Sequence, residues 1–266
     1  MKKRSSLYLN LLTDYGFKRI FGDPECLMSF LNALLAKDGI VVTSLKYLDR
    51  ERTPNRSKNK LVFYDLLCQL QDGTQVIIEM QRRSQKFFKD RTFFYMGRAW
   101  ADQGRGKKDW NYSCDSVFGI FITNFHMPEG DDEVVDLDEK PKYKPVTEIL
   151  SMDRNTHEIY SLKNRMFIID LKALDIDSED DVKNDLDGWI FNLINMGTYT
   201  SRPKLADKEP FERLFSLAEV AHMSDAEYRK YSRSLKQYWD TCATEDTDNW
   251  RYERGVKHGE KIGEKR

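Results

Sequence analysis

The sequence has no long hydrophobic run and little cysteine. No segment reaches the roughly 18 consecutive apolar residues of a membrane-spanning helix, and the basic residues 2–4 are not followed by the apolar stretch of a signal peptide. The four cysteines are far apart and form no C-x-x-C pair, so neither a zinc site nor a disulfide framework is indicated. They are Cys26, Cys68, Cys114 and Cys242. We therefore expect a cytoplasmic protein with reduced thiols and no membrane partner.

Familiar metal-binding patterns are absent as well. His126 and His157 stand alone, without the spacing of metal ligands. The acids between residues 126 and 145 lack the spacing of an EF-hand loop, so we expect a solvated loop there.

Charge is close to balanced overall but unevenly distributed along the chain. The sequence contains 43 Lys and Arg against 44 Asp and Glu. Residues 1–125 hold 21 basic against 13 acidic side chains, whereas residues 126–266 hold 22 against 31. Because Lys and Arg supply most contacts to phosphate backbones, this favours a nucleic-acid partner for the first half. The alternative is an asymmetry that arose by drift.

Acids lie inside apolar runs between residues 60 and 100. The run KLVFYDLLCQL contains Asp65, an Asp-Gly turn follows, and the run QVIIEMQ contains Glu79 and Gln81. Both runs are predicted strands, and residues two apart on a strand share a face. Two converging carboxylates among apolar residues are unfavourable unless a cation neutralises them. Mg²⁺ is the expected cation because it prefers oxygen ligands.

The turn between these strands decides whether Asp65 joins that face. A two-residue Asp72-Gly73 loop would put Asp65 and Glu79 on opposite faces. A three-residue loop, Asp72-Gly73-Thr74, would pair Asp65 with Gln81 and place all three polar side chains together. The metal-site hypothesis therefore requires an odd-length loop or a β-bulge. The alternative is a pair of edge-strand or salt-bridged acids.

The other patterns predict helices and strands in the order helix, strand, strand, strand, helix, strand. Thr13 or Asp14 is expected to cap a short first helix, and Asp23 with Pro24 begins a second one. Residues 87–98 place aromatics mostly three or four apart, which favours core positions over base-stacking ones. The predicted strands are 40–48, 60–70, 75–81, 117–123 and 166–171, and the predicted later helices are 84–103, 181–196, 210–221 and 225–241.

Asp65, the Glu79-Met80-Gln81 step and the leading segment 14–22 (DYGFKRIFG) carry a family resemblance. Together they resemble the PD-(D/E)XK nuclease superfamily and, within it, the Rpn family of recombination-promoting nucleases and putative transposases. The resemblance covers about residues 7–125 well and the rest more loosely.

The resemblance implies a fold, a reaction and a set of residues. The fold is α/β (α+β), a restriction-endonuclease-like αβββαβ core with a mixed sheet and added C-terminal helices. The activity is DNA phosphodiester hydrolysis with Mg²⁺ or Mn²⁺, held by Asp65, Glu79 and the carbonyl of Met80. Asp14 lies near the active site in this family, and Gln81 stands where the wider superfamily has lysine. Gln81 has no charge and cannot act as a base.

Basic residues around the hairpin are the expected DNA contacts. A matching arginine commonly follows the Glu-x-Gln step in the family, so Arg91 would contact phosphate or fix a carboxylate. Its alternative role is that of a solvated helix arginine. The expected DNA-binding residues are Arg82, Arg83, Lys86, Arg91, Arg56 and Lys58.

The sequence is also compatible with two other functions, and it predicts a division into domains. The rival functions are a catalytically inactive DNA-binding protein on the same fold, and a protein-interaction module that acts through the acidic C-terminal half. Residues 1–200 are expected to form the nuclease-like domain, 201–254 a helical region, and 255–266 a Gly and charged repeat tail. Homo-oligomerisation is left open.

Overall fold

Six strands form one mixed sheet, with helices on both of its faces. The computed structural model describes residues 6–49, 51–52, 62–83, 86–104, 111–126 and 144–263. The helices are α1 (Asp14–Phe21), α2 (Pro24–Leu35), α3 (Phe88–Asp102), α4 (Asp185–Asn195), α5 (Glu212–Ala218) and α6 (Asp225–Gly263). The strands are β1 (Leu45–Tyr47), β2 (Glu51–Arg52), β3 (Val62–Phe63), β4 (Leu66–Leu70), β5 (Gln75–Gln81), β6 (Val117–Thr123), β7 (Val146–Met152) and β8 (Ile159–Asp170).

The strand order in this sheet is β1-β4-β5-β6-β8-β7, and β2 and β3 pair separately. β1, β4 and β5 run antiparallel, whereas β6 pairs parallel with both β5 and β8. Every residue of β6 is buried, as expected for a central strand covered on both faces. The sequence of α2, β1, β4, β5, α3 and β6 confirms the predicted αβββαβ order and the α/β class.

Both predicted N-terminal helix starts are present. The Thr13 side chain accepts a hydrogen bond from the Gly16 N–H, so Thr13 is the cap of α1 and Asp14 is not. Asp23 caps α2 through the Cys26 N–H, and Pro24 occupies the first helical turn. Each cap satisfies a backbone donor that the helix itself leaves unpaired.

The larger hydrophobic core lies between one face of the sheet and α1, α2, α4 and α5. Trp189 of α4 is fully buried and contacts three phenylalanine rings, Phe21, Phe30 and Phe211, at 5.9 Å between centroids. Phe211, which immediately precedes α5, therefore packs in the same core as α1 and α2. The division at residue 200 stays a prediction.

Helix α3 covers the opposite face of the sheet. Its residues Phe88, Met96 and Ala99 pack with Ile77 of β5 and Phe121 of β6. This face therefore carries alternate residues of each strand, including every second residue of β5 up to Glu79 and Gln81.

Several element boundaries differ from the prediction. The strand expected over 40–48 is reduced to Leu45–Tyr47, because the Asn32 side chain bonds both the N–H and the carbonyl of Val42. Helix α3 begins at Phe88 and not at residue 84, after Phe87 adopts a left-handed φ of 64°. The last predicted strand begins seven residues earlier, at Ile159, because it pairs with β7, which was not predicted.

The C-terminal helix is longer than predicted. α6 spans 39 residues to Gly263, whereas the sequence pattern indicated an end near residue 241. Its start is as predicted, since Ser224 and Glu227 form a reciprocal capping box. Among the described helices, none is long and apolar enough to cross a bilayer.

Because α3 lies close to β6 at Gly119, we expect a larger side chain there to destabilise the protein. A Cβ at Gly119 would lie 2.7 Å from a Phe121 ring carbon and 2.8 Å from the Met96 sulfur. Gly119→Ala should therefore destabilise the protein by about 1–3 kcal/mol through overpacking. Gly97→Ala is the control on α3, where a Cβ meets no atom within 4 Å. It should be neutral or stabilise by about 0.5–1 kcal/mol. Urea unfolding measures both, and equal effects would contradict this packing.

Candidate active site

A three-residue turn joins β4 to β5. The Leu70 N–H bonds the Thr74 carbonyl at 2.8 Å, and the Gly73 N–H returns to the Leu70 carbonyl at 3.1 Å. Gly73 adopts a φ of 91°, which favours glycine. The loop thus has the odd length that the metal-site hypothesis requires.

The register differs from the predicted one by two residues. The strand pairs run from Gln69 with Gln75 to Leu66 with Ile78, which places Asp65 opposite Glu79 and not opposite Gln81. The reason is that the turn begins at Gln71, one residue before the Asp-Gly pair. Asp72 then accepts the Thr74 N–H at 3.0 Å within the turn.

Two reciprocal hydrogen bonds hold the acids at this position. The Asp65 N–H donates to Glu79 Oε1 at 2.9 Å, and the Met80 N–H donates to Asp65 Oδ2 at 3.0 Å. Each carboxylate therefore fixes the backbone beside the other one. The bonds replace regular strand pairing at Asp65, the residue just before β4.

Burial makes both carboxylates hard to ionise, and the charge of Asp65 adds to the effect on Glu79. Glu79 is 2% exposed. Burial, and then the charge of Asp65, raises the pKa of Glu79 to about 8. Burial also raises the pKa of Asp65, opposed by the Met80 N–H. A bound cation would stabilise the ionised form of both carboxylates.

Helix α3 places a positive charge beside Glu79. Arg91 Nη2 lies 3.9 Å from Glu79 Oε2, and its Nη1 donates to Gln81 Oε1 at 3.4 Å. Gln81 in turn makes a long 3.5 Å contact from Nε2 to Glu79 Oε2. The guanidinium is held by Tyr95, through a 2.9 Å bond to its hydroxyl and a position 5.0 Å above its ring. Arg91 therefore belongs to the carboxylate cluster, which excludes the alternative of a merely solvated helix arginine.

Helix α1 lies on the Asp65 side of the cluster. Asp14 pairs with Lys18 at 2.6 Å and is about half exposed. After burial and the Met80 hydrogen bond, the charges of Lys18, Asp14 and Arg82 also act on the pKa of Asp65. In the described residues, Asp14 reaches the site through its charge and makes no hydrogen bond to Asp65 or Glu79.

The predicted DNA contacts fall into two groups. Arg82 and Arg83 follow β5 directly and are half-buried, and Lys86 is exposed just before α3. With Arg91 they form a basic segment beside the acids. Arg56 and Lys58 lie outside the described residues.

The aromatic residues of α3 are less buried than predicted. Phe88 is in the core, but Phe87, Phe93 and Phe94 are 60%, 61% and 54% exposed. The helix presents one stripe to the sheet, and the three rings lie off that stripe. The expectation of core positions is therefore wrong for Phe87 and Phe94.

The donor set suits a hard divalent cation. It consists of two carboxylates that each bond the backbone beside the other, and the Met80 carbonyl belongs to the residue whose N–H binds Asp65. Oxygen donors of this kind match Mg²⁺ or Mn²⁺. In the described residues no group of three or more His, Cys, Asp or Glu could hold an ion, so water or substrate oxygens would complete the coordination.

Two parts of this region were missed by sequence reasoning. Tyr95 holds Arg91, and its spacing of four residues on a predicted helix was the available signal. His126 bonds the buried Asp170, at 3.0 Å between Nδ1 and Oδ2. These two residues are 44 positions apart, so no local pattern joins them.

The mixed sheet, the αβββαβ order and the acids paired just before β4 and near the end of β5 define an α/β protein with a nuclease-type core. The chain belongs to the PD-(D/E)XK nuclease family transposases, whose family model matches residues 11–247. No curated protein and no solved structure matches the chain.

The raised pKa of Glu79 predicts how the stability of the metal-free protein depends on pH. The folded-state pKa lies above the ordinary value of 4.5, so ionisation of Glu79 opposes folding and stability falls as pH rises from about 4.5 to about 8. Glu79→Gln should remove this loss. At pH 9 in EDTA we expect the variant to be more stable than the wild type by on the order of 1 kcal/mol or more.

Thermal unfolding at pH 5 and at pH 9 measures the effect. Glu158→Gln is the control, because Glu158 is an exposed glutamate in the turn between β7 and β8. It should leave the stability unchanged at both pH values. A Glu79→Gln protein that is no more stable than the wild type at pH 9 would contradict the burial of an unfavourable charge.

Proposed function

We propose that this protein is a metal-dependent endonuclease that hydrolyses DNA phosphodiester bonds. The observation that supports this most is the pairing of Asp65 and Glu79. Two carboxylates are held beside each other by 2.9 Å and 3.0 Å hydrogen bonds to the backbone, and both resist ionisation. A protein gains nothing in stability from such a pair without a cation, so a catalytic use accounts for it best.

Asp65, Glu79 and the Met80 carbonyl are the proposed ligands of Mg²⁺ or Mn²⁺. When bound there, the ion would polarise the scissile phosphate, lower the pKa of the attacking water and stabilise the leaving oxygen. The protein holds the ligands rigidly, because each acid bonds the backbone of the opposite strand. Asp14 and Lys18 add charges at the rim of the site.

Gln81 and Arg91 share the place of the lysine found in the wider superfamily. Gln81 can orient water or substrate but cannot take a proton. Arg91 supplies the missing positive charge, because its guanidinium contacts Gln81 and lies 3.9 Å from Glu79. We propose that it stabilises the negative charge of the phosphate in the transition state.

The basic segment from Arg82 to Arg91 is the proposed path of the DNA backbone. Arg82, Arg83 and Lys86 follow the catalytic strand and precede the helix that carries Arg91. Arg56 and Lys58 complete the proposed contacts from the sequence alone. Phosphate contacts of this kind position the substrate without reading its sequence.

The biological setting is proposed more broadly. The Rpn-like segment 14–22 and the transposase family favour a role in DNA recombination or mobile elements. All four cysteines are free thiols, which supports the expected cytoplasmic location.

A DNA-binding protein without activity is the second candidate. The observation that favours it is Gln81, because the site then has no lysine at the position where the superfamily uses one. Such a protein would keep the basic segment and bind DNA without metal-dependent cleavage.

Nicking of supercoiled plasmid with Mg²⁺ and with EDTA tests the proposed reaction. Asp65→Asn keeps an oxygen for the Met80 N–H but removes the charge that binds the ion. Because a bound metal contributes several kcal/mol to such reactions, the rate should fall by more than about 10²-fold.

Asp72→Asn is the matched control. Asp72 makes a similar bond to a backbone N–H, at the turn of the same hairpin. It should cleave at the wild-type rate. Full activity in Asp65→Asn would exclude the proposed ligands, and a wild type that binds DNA without cleaving it would favour the second candidate.

The role of Arg91 is tested by Arg91→Gln. Loss of the charge beside Glu79 should lower kcat by about 10- to 100-fold, on the scale of a lost transition-state contact. Arg98→Gln is the control, since Arg98 lies on the same helix and pairs with Asp102 at 3.3 Å. Equal losses in both variants would show that helix stability, and not the position of Arg91, is responsible.

A further inference from the structure

A histidine–aspartate pair lies at the carboxyl ends of β6 and β8. His126 follows β6 by three residues, and Asp170 is the last residue of β8. The ring Nδ1 lies 3.0 Å from Asp170 Oδ2. Asp170 is 1% exposed, whereas the imidazole is 19% exposed at its side chain. The pair is therefore anchored in the protein and reaches the surface through the ring.

Both members of the pair are held in place. Asp170 Oδ1 accepts the N–H groups of Lys172 and Ala173 at 2.9 and 3.1 Å, which leaves Oδ2 directed at the ring. The hydroxyl of Thr123 bonds the Phe125 carbonyl at 3.0 Å and fixes the chain just before His126. With Nδ1 bonded to the carboxylate, Nε2 is the ring atom left for a ligand.

The pair lies on the same sheet face as the proposed active site. Gln81, Thr123 and Asp170 are direct neighbours across β5, β6 and β8. Asp170 is two residues from Ile168, which packs with α3 together with Ile77 of β5. Residues two apart share a face, so Asp170 and Glu79 both lie on the α3 side.

The spacing of strands defines what His126 can do. Two strand intervals separate Asp170 from Gln81, a span of roughly 10 Å. Direct proton transfer needs the group within about 3 Å of the reacting atom, or one water away. This span argues against His126, which bonds Asp170, as the missing base or acid for a phosphate held at Asp65 and Glu79. The position of His126 suits a contact with a neighbouring part of the DNA strand that is cleaved.

We propose that His126, oriented by Asp170, contacts a backbone phosphate next to the one that is cleaved. This rests on the proposed function, since it takes DNA as the substrate. A phosphate oxygen at Nε2 and the carboxylate at Nδ1 would hold the ring between two anions. Such charge-assisted bonds are strong and directional.

DNA binding in EDTA tests the contact without requiring cleavage. A short fluorescent DNA duplex is titrated with the wild type and with His126→Gln over a series of salt concentrations. Loss of one phosphate contact should weaken binding by about tenfold and reduce the slope of log K against log salt by about 0.9. A merely structural tie between β6 and β8 would not lower the slope.

His222→Gln is the matched control. His222 also pairs with a carboxylate, at 3.5 Å from Glu219, but it is exposed and precedes α6. It should bind DNA with the wild-type affinity and slope. His126→Arg is the second variant, because it keeps a cation at the position and should restore the slope. Circular dichroism melting shows that each variant is folded.

The outcomes separate this inference from the proposed function. His126→Gln with wild-type affinity and slope would overturn the phosphate contact, even if the wild type is an active nuclease. A reduced slope in His126→Gln, restored in His126→Arg, would support the contact even in a protein that does not cleave. A His126→Arg protein that is folded but keeps the reduced slope would also contradict it.

Discussion

The pairing of β4 with β5 across a three-residue turn is the constraint on which the site depends. The turn sets the register, the register places Asp65 opposite Glu79, and the two reciprocal hydrogen bonds then hold each acid against the other strand. A turn shorter by one residue would move one acid to the other face of the sheet. The chemistry of the site therefore follows from the length of a loop at the far end of the hairpin.

The rest of the fold places the positively charged Arg91 beside this hairpin. β6 continues the sheet beside β5, and α3 returns over it with Arg91 directed at Glu79 and Gln81. Burial in the α3 interface excludes water, which disfavours the ionised acids and strengthens their attraction for any cation. The same burial that lowers the stability of the metal-free protein thus makes the site suited to bind an ion.

Much of the fold followed from the sequence, because long periodic segments and capping residues are local signals. Acids inside apolar strands predict the pairing of Asp65 with Glu79, and this pairing requires the odd-length loop that the structure contains. The register was predicted incorrectly, since Asp72-Gly73 indicated a turn one residue later than the actual one. β7 and the His126–Asp170 pair were missed because both depend on contacts between distant segments. The exposed Phe87 and Phe94 were misassigned because helical spacing alone does not say which stripe of the helix faces the sheet.

The central claim is that Asp65 and Glu79 bind a divalent cation together. Titration with Mn²⁺, followed by electron paramagnetic resonance, tests this claim most directly, because it detects the ion without requiring DNA or turnover. We predict saturable binding of roughly one or two ions per chain in the wild type, lost in Asp65→Asn and retained in Asp72→Asn. Equal Mn²⁺ binding by the wild type and Asp65→Asn, or no binding by the wild type, would contradict the account.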